Sequence, residues 1–124
     1  MKLDYLVLGT NDLPRAGAFY DALFAGTATT RLMETDRMIY WQGEGFTFAI
    51  ALPFDEAPAR HGNGTMFGFT LNSAEDVERL YNKPLELGGT SEGEIAQRGP
   101  YYSAYARDLD GNKLCFGYIA TMGS

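Results

Sequence analysis

Residues 3–26, LDYLVLGTNDLPRAGAFYDALFAG, and residues 65–88, TMFGFTLNSAEDVERLYNKPLELG, decide the fold. Each runs a strand-like apolar segment into a capped helix pattern and stops at a glycine, and the two are offset by about 62 positions. Asn11 and Ser73 fall at the same point in the two stretches, and Gly26 and Gly88 close them. The chain is therefore read as a duplication of a unit of about sixty residues.

Working outward from the first stretch, Leu3 to Leu8 reads as a strand, and Thr10-Asn11-Asp12 supplies side-chain oxygens for the first turn of a helix. Leu13, Ala16, Phe19, Tyr20, Leu23 and Phe24 recur at three-and-four spacing, with Arg15 and Asp21 on the opposite side. Pro14 sits in the first turn, where its missing N–H costs little. After Gly26, strands are expected at about 27–33, 37–42 and 46–52, with Gly43-Glu44-Gly45 as the last turn. The unit is βαβββ.

Residues 53–64, rich in Pro, Ala, Gly and Asn, carry no period and read as a linker. The second unit begins with a strand at 65–71. A helix follows, buried through Val77, Leu80, Tyr81 and Leu85, then strands at about 90–97, 101–107 and 112–119. Pro84 is expected to kink that helix or end it near Lys83, since proline removes a backbone hydrogen bond. The expected fold class is α+β: two βαβββ modules, about 1–53 and 64–120 with a linker at 54–63, forming curled mixed sheets around a pocket within one domain.

Composition bounds the function. With 124 residues, 45% of them hydrophobic and 21% charged, the chain can bury one substantial core. An acidic residue at position 4 interrupts any apolar leader core, and the longest apolar stretch, Phe46 to Phe54, is too short to span a bilayer. One cysteine forbids an internal disulfide. These features lead to the expectation of a cytoplasmic protein without a membrane partner. A net charge of −6 with no cluster of Lys or Arg provides no footprint for nucleic acid and mildly favours neutral or cationic ligands.

Several motifs in order carry a resemblance. They are residues 3–13 followed by Ala18-Phe19-Tyr20, then Gly62-Asn63-Gly64-Thr65, Gly88-Gly89-Thr90, Tyr101-Tyr102-Ser103-Ala104-Tyr105, and Arg107-Asp108-Leu109-Asp110-Gly111-Asn112-Lys113-Leu114. Together they resemble the glyoxalase/bleomycin-resistance/extradiol-dioxygenase (vicinal oxygen chelate) superfamily, with Leu109 where proline is usual. The resemblance implies a cup of strands from each module, a pocket between modules or subunits, and a homodimer. It also implies a metal site built from two histidines and two carboxylates or amides on the first and last strands. Carried over position by position, those ligands fall on Tyr5, Ala49, Met66 and Cys115. A phenol, a methyl group, a thioether and one thiol are not a first-row-metal donor set. No metal and no cofactor are expected.

Other candidates are weighed on the residues. The one histidine, His61, lies in the linker and reads as a solvated loop residue. Cys115 has apolar flanks and reads as a packed, inert thiol. Tyr101, Tyr102, Tyr105, Tyr118, Tyr5, Tyr40, Trp41, Phe46 and Phe48 fall in strand patterns, so alternation places about half of them on a ligand-facing side. Arg98 and Arg107 flank one strand, where either could pair with a ligand carboxylate or phosphate. The preferred reading is a metal-free protein that binds a small molecule at a pocket including Tyr5, Ala49, Met66, Tyr101 and Cys115; catalytic residues are not assigned. The alternatives are an enzyme using Tyr5, Tyr101 or Cys115 for proton transfer, and a metal-dependent lyase, isomerase, dioxygenase or thiol transferase.

Overall fold

A computed structural model describes residues 1–120. The chain divides into two compact units, Met1–His61 and a second beginning at Gly62. In the first, β1 (Tyr5–Gly9), α1 (Leu13–Phe24), β2 (Thr30–Glu34), β3 (Met38–Gln42) and β4 (Thr47–Ala51) follow in order. The second repeats the pattern with β5 (Phe67–Thr70), α2 (Ala74–Glu86), β6 (Thr90–Arg98), β7 (Tyr101–Arg107) and β8 (Lys113–Tyr118). Each unit holds a four-stranded mixed sheet, ordered β1-β4-β3-β2 and β5-β8-β7-β6. The first strand of each unit pairs in parallel with the last, and the remaining pairs are antiparallel. This is the α+β, twice-βαβββ architecture expected from the repeat.

One helix covers one face of each sheet. In the first unit Tyr20 and Phe24 of α1 pack against Trp41 and Phe48, with ring centroids 4.7–6.0 Å apart. Tyr20, Trp41 and Phe48 are buried, and each such side chain stabilises the fold by about 1.5–3 kcal/mol through area removed from water. Trp41 is too polar to bury without a partner. Its Nε1 donates to Asp21 Oδ1 at 3.0 Å, and the same carboxylate accepts from Arg31 Nε and Nη2 at 3.1 and 2.7 Å. That network fastens edge strand β2 to α1.

Asp12, not Asn11, caps α1, its carboxylate accepting from the Arg15 N–H at 3.0 Å. Asn11 has another task, described with the linker below. The strand expected from position 27 begins at Thr30, because Thr27 prolongs the end of α1. Its N–H and hydroxyl both donate to Phe24 O, and its hydroxyl oxygen accepts from Thr29 N.

Pro84 does not end α2 at Lys83; the helix runs to Glu86. Val77, Leu80, Tyr81 and Pro84 are its buried residues, so the apolar stripe closes on the proline ring rather than on Leu85, which is half-buried. The ring sits at the i+7 position of the stripe and takes a core place in the last turn, where few backbone bonds remain to be lost. Gly89 N donates to Pro84 O at 2.8 Å across Gly88, whose φ of 100° favours glycine. The linker is likewise more ordered than its composition suggests. Asn11 Oδ1 accepts from Ala59 N at 2.7 Å, and the Ala59 methyl lies 3.1 Å from where a Cβ on Gly9 would stand.

Candidate functional site

Strand alternation sorts the expected site residues by face. In the first sheet Phe48 and Ile50 point toward α1, so Ala49 lies on the other face with Tyr5 and Val7. Ala49 is flanked in register by Val7 on β1 and Tyr40 on β3. It is fully buried, whereas Tyr5 is 57% exposed. The second sheet repeats this arrangement with different chemistry: Cys115 is flanked by Gly68 on β5 and Tyr105 on β7. Tyr101 shares that face. Met66 stands one residue before β5, outside the strand that was expected to orient it, and is exposed. Tyr5 and Ala49 thus share one face in the first unit, and Tyr101 and Cys115 share one in the second.

Glycines make the second face what it is. A Cβ on Gly117 would lie 2.2 Å from Tyr101 Cε1 and 2.5 Å from Cδ1, so one edge of the Tyr101 ring takes the space a β8 side chain would need. A Cβ on Gly93 would meet Tyr105 Cδ2 at 2.9 Å, so a side chain there would press on the second tyrosine. Beside Cys115, Gly68 supplies no side chain, and the thiol stays half-buried.

The aromatic strand residues divide between the faces. Trp41 and Phe48 face α1, and Tyr102 reaches toward α2, where its hydroxyl donates to Glu78 at 3.1 Å. Tyr5, Tyr40, Tyr101 and Tyr105 take the opposite faces. Phe46 falls outside β4, in the turn that follows β3.

Two cations complete the second face. Arg98 Cζ lies 5.1 Å and Lys113 Nζ 5.3 Å from the Tyr105 ring centroid, within cation–π range. Arg98 is held by Ser103 O and by Glu94 O, the latter at 2.7 Å. Burial pushes the Cys115 thiol pKa upward, opposed by a hydrogen bond with Tyr105 and by the fields of Arg98 and Lys113. The apolar flanks of Cys115 in the sequence conceal these cations. One comes from across two strand pairs, and the other stands two places up β8 on the same side.

Arg107 does not join them in the same way. Its Nε donates to Glu92 at 2.6 Å and its Nη1 to Gly111 O at 2.6 Å, which bind it into the sheet edge and turn. Lys113 and Ser103 were not singled out from sequence as site residues. The signal that finds Lys113 is the alternation Lys113, Cys115, Gly117 along one strand. His61 is exposed in the linker.

The first unit carries a cleft of about 200 Å³ lined by Asp21, Phe24, Thr27, Thr30, Arg31 and Trp41. Both oxygens of its carboxylate already accept from Arg31 or Trp41, so the cleft is the outer side of a structural network.

A family model for the Glyoxalase/Bleomycin resistance protein/Dioxygenase superfamily matches residues 2–116. The chain belongs to this superfamily. A glyoxalase/bleomycin resistance protein from Albidiferax ferrireducens T118 is 32% identical, with 94% of this chain and 97% of that chain covered at a TM-score of 0.86. The hypothetical protein SA1046 from S. aureus is 25% identical, with 95% and 96% covered at a TM-score of 0.74. A lactoylglutathione lyase from Agrobacterium tumefaciens shares the fold at 19% identity and a TM-score of 0.72, covering 98% of this chain and 96% of that one. Comparison with curated proteins gives no match.

For this superfamily member the implied metal can be tested against the residues present. Among the described residues, no group of three or more His, Cys, Asp or Glu is placed to hold an ion. The implied ligand positions offer a phenol, a methyl, a thioether and a thiol whose pKa burial has raised, and a thiol must deprotonate to bind metal. These residues do not fit the metal. Among the described residues no helix is long and apolar enough to cross a membrane.

Proposed function

We propose that this superfamily member binds a small molecule without a metal ion, on the face of the second sheet turned away from α2. The observation that carries this reading is the row Gly68–Cys115–Tyr105, where a glycine leaves the half-buried thiol without a neighbouring side chain on β5 and a tyrosine stands on its other side. Tyr101 and Tyr105, given room by Gly117 and Gly93, offer aromatic surface to a planar ligand, and their hydroxyls can orient its polar groups. A homodimer in the cytoplasm is the proposed working form.

A thermal-shift screen of aromatic and apolar small molecules tests the reading, because a ligand that binds the native state raises its stability by mass action. A true hit is expected to slow alkylation of Cys115 in parallel. Hits that stabilise the protein and leave Cys115 labelling unchanged would move the site elsewhere. Elemental analysis is expected to find no stoichiometric transition metal, with chelator leaving the melting temperature unchanged. One retained ion per chain, lost together with stability on chelation, would overturn the metal-free reading.

A further inference from the structure

Arg98 and Lys113 stand apart from most other basic side chains of this acidic protein. Arg15, Arg31, Arg79, Lys83 and Arg107 each have a carboxylate within 4.0 Å. Among the described residues, neither Arg98 nor Lys113 forms such a pair, and both approach the same Tyr105 ring. Arg98 is oriented by neutral acceptors, the carbonyls of Ser103 and Glu94, which fix the guanidinium without cancelling its charge. The carboxylate whose titration responds to Lys113 is that of Glu92, and Arg107 Nε already bonds it at 2.6 Å. Arg107 takes up Glu92, and no carboxylate lies within 4.0 Å of Arg98 or Lys113 among the described residues, although the net charge of the chain is −6. Fixed, unneutralised cations beside an aromatic ring recognise an anion attached to an apolar body.

We infer that the ligand of this face is an anionic aromatic or apolar small molecule, its carboxylate or phosphate bound by Arg98 and Lys113 and its body laid against Tyr105 and Tyr101. This rests on reading the face as a ligand surface. It also departs from the expectation from net charge that neutral or cationic ligands would be favoured: two particular side chains, not the total charge, meet the ligand.

The test is a titration of ¹⁵N-labelled protein with benzoate, phenyl phosphate and benzamide, the last being a neutral molecule of similar shape. Inorganic phosphate serves as a fourth probe. Benzoate or phenyl phosphate is expected to shift the Lys113, Cys115 and Gly117 amides saturably and to bind at least tenfold more tightly than benzamide, with affinity falling as salt is raised. Inorganic phosphate is expected to bind more weakly than phenyl phosphate, because it has no body for the tyrosines. Lys113→Gln leaves the backbone ladder in place and is expected to cost fivefold or more in affinity for the anion and little for benzamide. Arg98→Gln, checked for a dispersed spectrum, is expected to cost more.

Equal binding of benzamide and the anions, or undiminished anion binding in Lys113→Gln, would overturn the inference while leaving a ligand surface at this face. Failure of both anions to bind would overturn it as well. Only if the thermal-shift screen also yielded no ligand that protects Cys115 would the reading of this face as a binding surface fall with it.

Discussion

The rows Val7–Ala49–Tyr40 and Gly68–Cys115–Tyr105 occupy equivalent places in two sheets of the same strand order. In the first row a valine flanks an alanine, and the alanine is fully buried. In the second a glycine flanks a cysteine, which remains half-buried beside Tyr105. The helix faces differ in the opposite sense. The first unit has a four-ring cluster tied to an ion pair, and the second has a smaller one, Phe69 stacked on Phe116, among Val77, Leu80, Ala104 and Leu114. Duplicated architecture has divided its labour: one copy concentrates its chemistry in the core, the other on the sheet face opposite its helix.

The largest expected effect lies in the first core. Trp41→Ala removes a buried indole from the ring cluster and one donor to Asp21, and should cost about 3–5 kcal/mol in denaturant unfolding. Val77→Ala, which deletes far fewer atoms from the second core, should cost clearly less. Equal losses would break the contrast between the two cores.

A second large effect is expected in the final turn. Asp108 is buried, and its Oδ1 accepts from Asp110 N and Asn112 N, both at 2.9 Å, while its Oδ2 accepts from Asn112 Nδ2 at 2.9 Å. Asp108→Ala leaves those donors without their acceptor and should destabilise by about 2–3 kcal/mol, read by chemical denaturation. A change below about 0.5 kcal/mol would show that the turn holds β8 in place by other means.

Gly68→Val makes the second row resemble the first. Gly68 has ordinary backbone angles and its added Cβ would meet Cys115 Cβ at 3.4 Å, an ordinary contact, so stability should change by no more than about 1 kcal/mol. Cys115 alkylation should nevertheless slow at least tenfold. In the parent, the labelling rate should still be rising above pH about 8.5, because burial holds the thiol pKa above its usual range. By linkage, the stability this raised pKa contributes is present below the unfolded thiol's pKa and lost as pH rises through the folded one. A labelling profile that levels off below pH 8 would contradict that direction.

The smallest effect belongs to the linker. Glu56 has φ 64°, the left-handed region that costs an ordinary side chain. Glu56→Gly should raise stability by about 0.5–1 kcal/mol, since strain relief exceeds the added chain entropy. A loss of stability would mean that the Glu56 side chain contributes more than its backbone costs.

Much of this was legible in the sequence because periodicity and capping are local. The succession of elements follows from the repeat, and α1 from Leu13 to Phe24 matches its apolar stripe. An end of α2 near Lys83 did not follow, because packing uses the Pro84 ring in a nearly finished helix. The early start expected for β2 failed because the Thr27 hydroxyl competes for the backbone. At the site, Tyr101, Cys115 and Arg98 could be named from sequence. The approach of Arg98 and Lys113 to Tyr105, beside Cys115, could not, since it depends on the β6–β7 and β7–β8 registers.

The central claim is that the row Gly68–Cys115–Tyr105 of the second sheet, and not its Val7–Ala49–Tyr40 counterpart in the first, receives the ligand. Its most direct test is the rate of iodoacetamide labelling of Cys115 in the intact protein, with and without a saturating concentration of a ligand identified by thermal shift. Protection of at least tenfold in the parent, with ligand stabilisation abolished in Gly68→Val, is the predicted result. An unchanged labelling rate under saturating ligand, with Gly68→Val stabilised by that ligand as fully as the parent, would contradict the account.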